Sequence, residues 1–264
     1  MWEWGAFALI GCFAGLSAGL LGLGGGLVIV PSLLLVFNFV GLPNQQVMHI
    51  AVATSLMTIT VTSLSAMLAH QRHQQINWGV TRSLTPGLIF GGIVGAFLAT
   101  LISGPILQKC FAIYALLIAA RMWWPMTPSV NATLLKTPIL LAVGNIIGII
   151  SAIVGIGGGS LTVPYLVMAK QSIKQAIGTA AACGFPISLA AVTGFVIFGQ
   201  NSVTISDNWL VGYIHWQAFW GIICTSIFFA PLGAKLAKRL PVDSLRHVFS
   251  MALVLVSASL FMVN

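Results

Sequence analysis

Two copies of one glycine-rich pattern, each inside a long apolar run, limit what this chain can fold into more than any other feature. The first copy reads GLLGLGGGLVIVP and the second reads AIVGIGGGSLTVP. In each copy four glycines fall within five positions, and Gly155 and Pro164 follow Gly22 and Pro31 at the same spacing of 133. Because glycine interrupts helices, the pattern predicts a break at the same place in two related halves.

The apolar runs around the two patterns are long enough to cross a lipid bilayer. Hydrophobic residues make up 58% of the chain and charged residues 5%, with a mean hydropathy of +1.03, which leaves too few polar groups for a water-exposed surface. Apolar runs of about 17 to 25 residues recur, as membrane-spanning helices require, whereas the alternating segments of membrane β-barrels do not. The sequence predicts an all-α polytopic membrane protein whose first run stays in the mature chain.

Shorter matches extend the duplication over the whole chain. AVATS at 51–55 corresponds to AIGTA at 176–180, and GAFLA at 95–99 corresponds to GAKLA at 233–237. We therefore predict a first transmembrane repeat over 1–125, a cytoplasmic linker over 126–136 and a second repeat over 137–264. Each repeat contains four apolar units, at about 5–40, 47–69, 83–102 and 106–124 in the first and about 138–169, 175–199, 209–236 and 243–263 in the second.

The first unit of each repeat is too long to cross the membrane once. The 36 residues from 5 to 40 would make a helix of about 54 Å, nearly twice the thickness of the hydrocarbon layer. We expect the unit to break at its glycines and turn back, either as a re-entrant hairpin or as two short crossings.

The distribution of basic residues favours this folding. If both broken units fold back and the others cross once, Lys109 is alone on one side and the other ten basic residues share the opposite side: Arg72, Arg82, Arg121, Lys136, Lys170, Lys174, Lys235, Lys238, Arg239 and Arg246. If every unit crossed once, the division would be seven to four. The positive-inside rule therefore places the ten in the cytoplasm and both termini outside. The second repeat is then inverted relative to the first.

A broken helix inside a membrane leaves peptide groups that need a partner. The half-helices that begin after the glycines present free N–H groups at the positive end of a helix dipole, which is a site for anions. Two such ends, brought together by a pseudo-twofold axis, could hold one small oxyanion with the help of nearby hydroxyls. The predicted substrate-binding residues are Gly24, Gly25, Gly26, Thr54, Ser55, Gly157, Gly158, Gly159, Ser160 and Thr179.

Other interpretations of these residues stay open. The glycines could serve only to let membrane helices pack closely, and the hydroxyls could bond to their own backbone. A nucleotide site is disfavoured because neither copy continues to G-K-[ST] and no acidic residue lies about 20 positions further on.

The scarcity of acidic and catalytic residues in the apolar units argues against several classes of function. Glu3, Asp207 and Asp243 are the three acidic residues, and all lie in or beside predicted loops, so no membrane carboxylate can carry protons or sodium. The sequence shows no Ser/His or Cys/His arrangement and no ligand cluster, so we expect neither an enzyme nor a metal or other cofactor. The basic residues are spread over short connections, which argues against nucleic acid as a partner.

With these motifs in place, the chain resembles the sulfite exporter TauE/SafE family, also called TSUP, over nearly its whole length. The resemblance implies an inner-membrane permease for small sulfur-containing anions such as sulfite, thiosulfate or organosulfonates. The resemblance also implies that Gly24 to Gly26 and Gly157 to Gly159 form the centre of the transport pathway. The copies differ, with Leu27 opposite Ser160 and Ser55 opposite Ala180, so the site should be asymmetric.

We therefore expect a membrane transporter whose partners are a small anionic substrate and the lipid bilayer. An anion of charge −2 that leaves a cell across about −100 mV gains roughly 5 kcal/mol, so export would need no coupling ion. An anion channel, a carrier of small carboxylates and import in place of export remain open alternatives. Assembly into a homo-oligomer is also left open.

Overall fold

The computed structural model describes residues 2–21, 25–123, 136–199, 209–237 and 242–262, and nearly all of them are helical. The helices are α1 (Trp2–Leu21), α2 (Gly26–Val40), α3 (Asn44–Arg72), α4 (Trp78–Leu101), α5 (Gly104–Trp123), α6 (Thr137–Val154), α7 (Gly159–Met168), α8 (Ile173–Gly199), α9 (Trp216–Ala237) and α10 (Val242–Met262). Within the described residues, six helices are long and apolar enough to cross a membrane. The prediction of an all-α polytopic membrane protein is confirmed.

Both glycine patterns interrupt a helix, as predicted. In the first half α1 ends at Leu21 and α2 begins at Gly26, and in the second half α6 ends at Val154 and α7 begins at Gly159. The first unit folds back on itself, because Gly25 lies against Ala14 near the break and the rings of Phe7 and Phe37 lie 6.1 Å apart near the other end. With 10 residues, α7 is about 15 Å long and too short to cross the hydrocarbon layer.

One apolar unit is shorter than the sequence indicated. The unit predicted over about 209–236 begins its helix only at Trp216, because the residues before it form a small antiparallel hairpin of β1 (Leu210–Val211) and β2 (Ile214–His215). Gly212, with φ +57°, makes the turn between the two strands.

The directions of the helices match the folded-back arrangement. Helices α5 and α10 are antiparallel, because the Ser257 hydroxyl donates to the Ala112 carbonyl at 2.9 Å and the Ser250 hydroxyl donates to the Ala119 carbonyl at 2.9 Å. Helices α3 and α8 are antiparallel too, since a Cβ on Gly184 would lie 3.2 Å from the Cβ of Ser63 and the Gly178 backbone contacts Gln75 beyond the end of α3.

These directions exclude the topology in which every unit crosses once, because α5 would then run parallel to α10 and α3 parallel to α8. They are the directions that inverted repeats require. The inverted relation of the halves and the domain boundaries remain predictions, and the predicted linker lies outside the described residues except for Lys136.

Close glycine contacts join each half to the other. Helix α4 runs parallel to α6, and a Cβ on Gly95 would lie 2.6 Å from the Ile149 carbonyl oxygen. Helix α1 runs parallel to α9, and a Cβ on Gly15 would lie 2.7 Å from the Ser226 carbonyl oxygen. Such separations leave no room for a side chain, so these glycines serve helix packing. The packing interpretation therefore holds for glycines outside the two breaks.

Candidate functional site

The two helix breaks lie against each other in the interior of the protein. A Cβ on Gly26, the first residue of α2, would lie 2.7 Å from the carbonyl oxygen of Gly155 and 3.1 Å from the Cα of Ile156. Gly155 caps the end of α6 with φ +78°, a conformation that favours glycine. The start of α2 therefore contacts the chain between α6 and α7.

The beginning of α7 presents N–H groups that the described residues do not use. Gly158, with φ +72°, turns the chain into the helix, and its carbonyl accepts from the N–H groups of Leu161 at 3.1 Å and Thr162 at 2.8 Å. The N–H groups of residues 157–160 have no acceptor among the described residues, although all four residues are buried. This is the positive end of a helix dipole in a buried setting, which attracts an anion.

Ser55 connects α3 to this region. Its hydroxyl is fully buried and donates to the Gly155 carbonyl at 2.9 Å. A carbonyl at the end of a helix carries partial negative charge, and the hydrogen bond satisfies it beside the predicted anion site. Ser55, which the sequence analysis predicted as a substrate-binding residue, thus contacts the second break.

Ser160 lies in the first turn of α7 and is held by a residue that the sequence analysis did not identify. Its hydroxyl shares a buried hydrogen bond of 2.6 Å with the Tyr114 hydroxyl, which comes from α5. Tyr114 is one of 3 tyrosines in the chain and lies inside an apolar run. A buried tyrosine hydroxyl needs a partner, so its position could have marked it as part of a polar site.

Ser151 was also missed by the sequence analysis. It lies in the last turn of α6, four residues before Gly155, and its side chain is 2% exposed. Its Oγ lies 3.3 Å from the place that a Cβ on Gly158 would occupy, and no hydrogen-bond partner for it is found among the described residues. In the sequence, the signal for Ser151 was a hydroxyl side chain in an apolar run, four residues before the first glycine of the second pattern.

Thr54 and Thr179 hold the starts of two helices. The Thr54 hydroxyl oxygen accepts from the N–H of His215 at 3.0 Å, and the Thr179 hydroxyl oxygen accepts from the N–H of Asn77 at 3.0 Å. His215 and Asn77 directly precede α9 and α4, and each side chain also accepts from an N–H in the first turn of its helix. Each threonine therefore joins one half of the chain to the other.

Two of the remaining predicted residues, Gly24 and Gly25, belong to the first break. Gly24 lies outside the described residues. Gly25 caps α2, and its carbonyl accepts from the N–H groups of Val28 at 3.0 Å and Ile29 at 2.9 Å. The structure thus brings together Gly25, Gly26, Ser55 and residues 157–160, and assigns Thr54 and Thr179 to helix starts beside them.

Comparisons with known proteins point the same way. Residues 7–260 match the family described as Sulfite exporter TauE/SafE. A probable membrane transporter protein of Haemophilus influenzae is 33% identical, over 96% of this chain and 96% of that protein. Probable membrane transporter proteins are also found in Methanocaldococcus jannaschii, at 28% identity over 92% of this chain and 89% of the relative, and in Bacillus subtilis (YunE), at 25% over 96% and 95%.

No solved structure matches the chain. The family match covers nearly the whole sequence, and the helices that it spans are the apolar ones described above. The protein is a multi-pass membrane transporter and belongs to the sulfite exporter TauE/SafE family.

Proposed function

We propose that the protein exports small sulfur-containing anions, such as sulfite, thiosulfate or organosulfonates, across the inner membrane. The observation that carries the proposal is the contact between the two helix breaks, with the unused N–H groups of residues 157–160 buried beside it. The family of the chain supports the substrate class.

The breaks suit an oxyanion for an electrostatic reason. Backbone N–H groups at the start of a helix donate to anions, and the helix dipole adds a favourable field. The Gly155 carbonyl, which would repel an anion, already accepts from Ser55. The three acidic residues of the sequence all lie in or beside predicted loops. With no carboxylate to carry a coupling cation, the membrane potential alone would drive a divalent anion outward, by roughly 5 kcal/mol at 100 mV.

Transport would occur by alternating access around this site. The ten basic residues that share one side would face the cytoplasm, and both termini would lie outside. Movement of helices that join the halves would expose the breaks first to one side and then to the other.

The proposal is tested by uptake and counterflow in proteoliposomes with sulfite, thiosulfate, sulfoacetate, sulfate and simple carboxylates. We expect saturable flux and counterflow of the sulfur anions. A preference for carboxylates would contradict the substrate class, flux that never saturates would indicate a channel, and the absence of any anion flux would refute the proposal.

Gly26→Ala tests whether the contact between the breaks matters. The new Cβ would lie 2.7 Å from the rigid Gly155 carbonyl oxygen and force the breaks apart, so we expect thiosulfate flux to fall at least tenfold. Gly5→Ala is the matched control, because a Cβ on this helical glycine meets nothing within 4 Å. Equal flux in both variants would contradict a role for the contact.

A further inference from the structure

Three serine hydroxyls lie at the second helix break, and none of them has an equivalent at the first. At the spacing of 133 that relates the halves, Ser151 and Ser160 correspond to Ala18 and Leu27. Ser55, the hydroxyl that α3 contributes, also bonds to the second break and corresponds to Ala180. The first break therefore has no hydroxyl at the positions equivalent to these three serines.

Two of the three hydroxyls are occupied within the protein. Ser55 donates to the Gly155 carbonyl at 2.9 Å, and Ser160 shares a hydrogen bond of 2.6 Å with Tyr114. The Ser151 hydroxyl is buried and has no partner among the described residues. Because buried hydroxyls are almost always hydrogen-bonded, Ser151 is the one of these three serines whose hydroxyl is free to bind a ligand.

The backbone fixes the direction of Ser151. Its carbonyl accepts from the N–H groups of Gly155 at 2.9 Å and Ile156 at 3.0 Å, which ties the last turn of α6 to the break. On the same residue, Oγ lies 3.3 Å from the position of a Cβ on Gly158. The hydroxyl therefore lies at the turn that leads into α7, beside the N–H groups of residues 157–160.

We infer that one anion binds per chain, at the start of α7, and that the Ser151 hydroxyl donates a hydrogen bond to it. This inference rests on the proposed function and assigns its site to the second break. The ligand class is an oxyanion with at least two acceptor oxygens, one for the N–H groups of residues 157–160 and one for Ser151. Ser151 is thus a binding residue, and Ser55 and Tyr114 act by positioning the break and Ser160.

The test measures thiosulfate binding by calorimetry to the full-length protein in lipid nanodiscs. We expect one thiosulfate per wild-type chain. In Ser151→Ala the dissociation constant should rise about ten- to a hundredfold, as for the loss of a hydrogen bond to a charged group. The thermal midpoint of the ligand-free variant should stay the same or rise, because the substitution removes an unpaired hydroxyl and leaves no other group without a partner.

Ser259→Ala is the matched control, since Ser259 is exposed and bonds only to the Val256 carbonyl of its own helix. Unchanged affinity in Ser151→Ala, or two anions bound per wild-type chain, would overturn the inference and leave the proposed function standing. A lower midpoint of the ligand-free variant with unchanged affinity would show a structural role and would also overturn it. Failure of the wild type to bind thiosulfate, sulfite and sulfoacetate would instead refute the proposed function.

Discussion

At the scale of single residues, both the backbone conformation and the close surroundings of Gly158 favour glycine. Its φ of +72° lies in the left-handed region, and a Cβ would lie 2.5 Å from the Cδ1 of Ile187. A side chain there would strain the turn that aims the start of α7 and would fill space beside Ser151. The residue therefore shapes the site as well as the backbone.

Gly158→Ala should reduce both stability and transport. The left-handed conformation costs alanine about 1–2 kcal/mol, and the added methyl group would obstruct the proposed anion site. We therefore expect a lower thermal midpoint and at least a tenfold loss of thiosulfate flux. Gly41→Ala separates the two effects, because Gly41 has φ +84° but a Cβ there meets nothing within 4 Å. We expect Gly41→Ala to lose stability and keep its flux; equal loss of flux in both variants would show that strain alone is responsible.

At the scale of helices, two equivalent hydrogen bonds hold the starts of α9 and α4. Thr54 lies in α3 and Thr179 in α8, and each accepts from the N–H of the residue before a helix of the other half. Both threonines are fully buried. A threonine thus holds the start of a helix at corresponding positions of the two halves.

Replacement of either threonine should act mainly on stability. Thr54→Val and Thr179→Val leave the N–H groups of His215 and Asn77 without their acceptors, at a cost of about 1–3 kcal/mol each. Thermal unfolding in detergent measures the loss, and Thr193→Val is the control because Thr193 is exposed and bonds only to its own helix. Weaker thiosulfate binding at an unchanged midpoint would show instead that these hydroxyls bind substrate, as the sequence analysis predicted.

Much of the helical architecture could be predicted from the sequence, because membrane helices have a fixed length and glycine patterns mark breaks. The start of α9 was placed too early, since a short β-hairpin with leucine, valine and isoleucine has the hydropathy of a helix end. The glycines and Ser55 at the breaks were predictable from the duplicated motif. Ser151 and Tyr114 carried only the weak signal of a polar group in an apolar run, because their approach to the break depends on how α5 and α6 pack.

At the scale of the whole molecule, the orientation in the membrane can be measured directly. The predicted topology places Gln74, after α3, in the cytoplasm and Ser103, between α4 and α5, outside, and both side chains are exposed. In a chain whose native cysteines are replaced, we expect a membrane-impermeant maleimide to label Ser103→Cys on intact cells. Gln74→Cys should react only after permeabilisation, and the reverse result would show that both termini face the cytoplasm.

The glycine contacts between α1 and α9 and between α4 and α6 determine which helices we expect to move together during transport. Each pair joins a helix of the first half of the chain to a helix of the second half at backbone distance, so we expect the rigid bodies to cross the predicted boundary between the repeats. A rocking motion would then carry α1 together with α9, and α6 together with α4. We therefore expect the units that move together to be mixed pairs, which neither of the predicted repeats could form by itself.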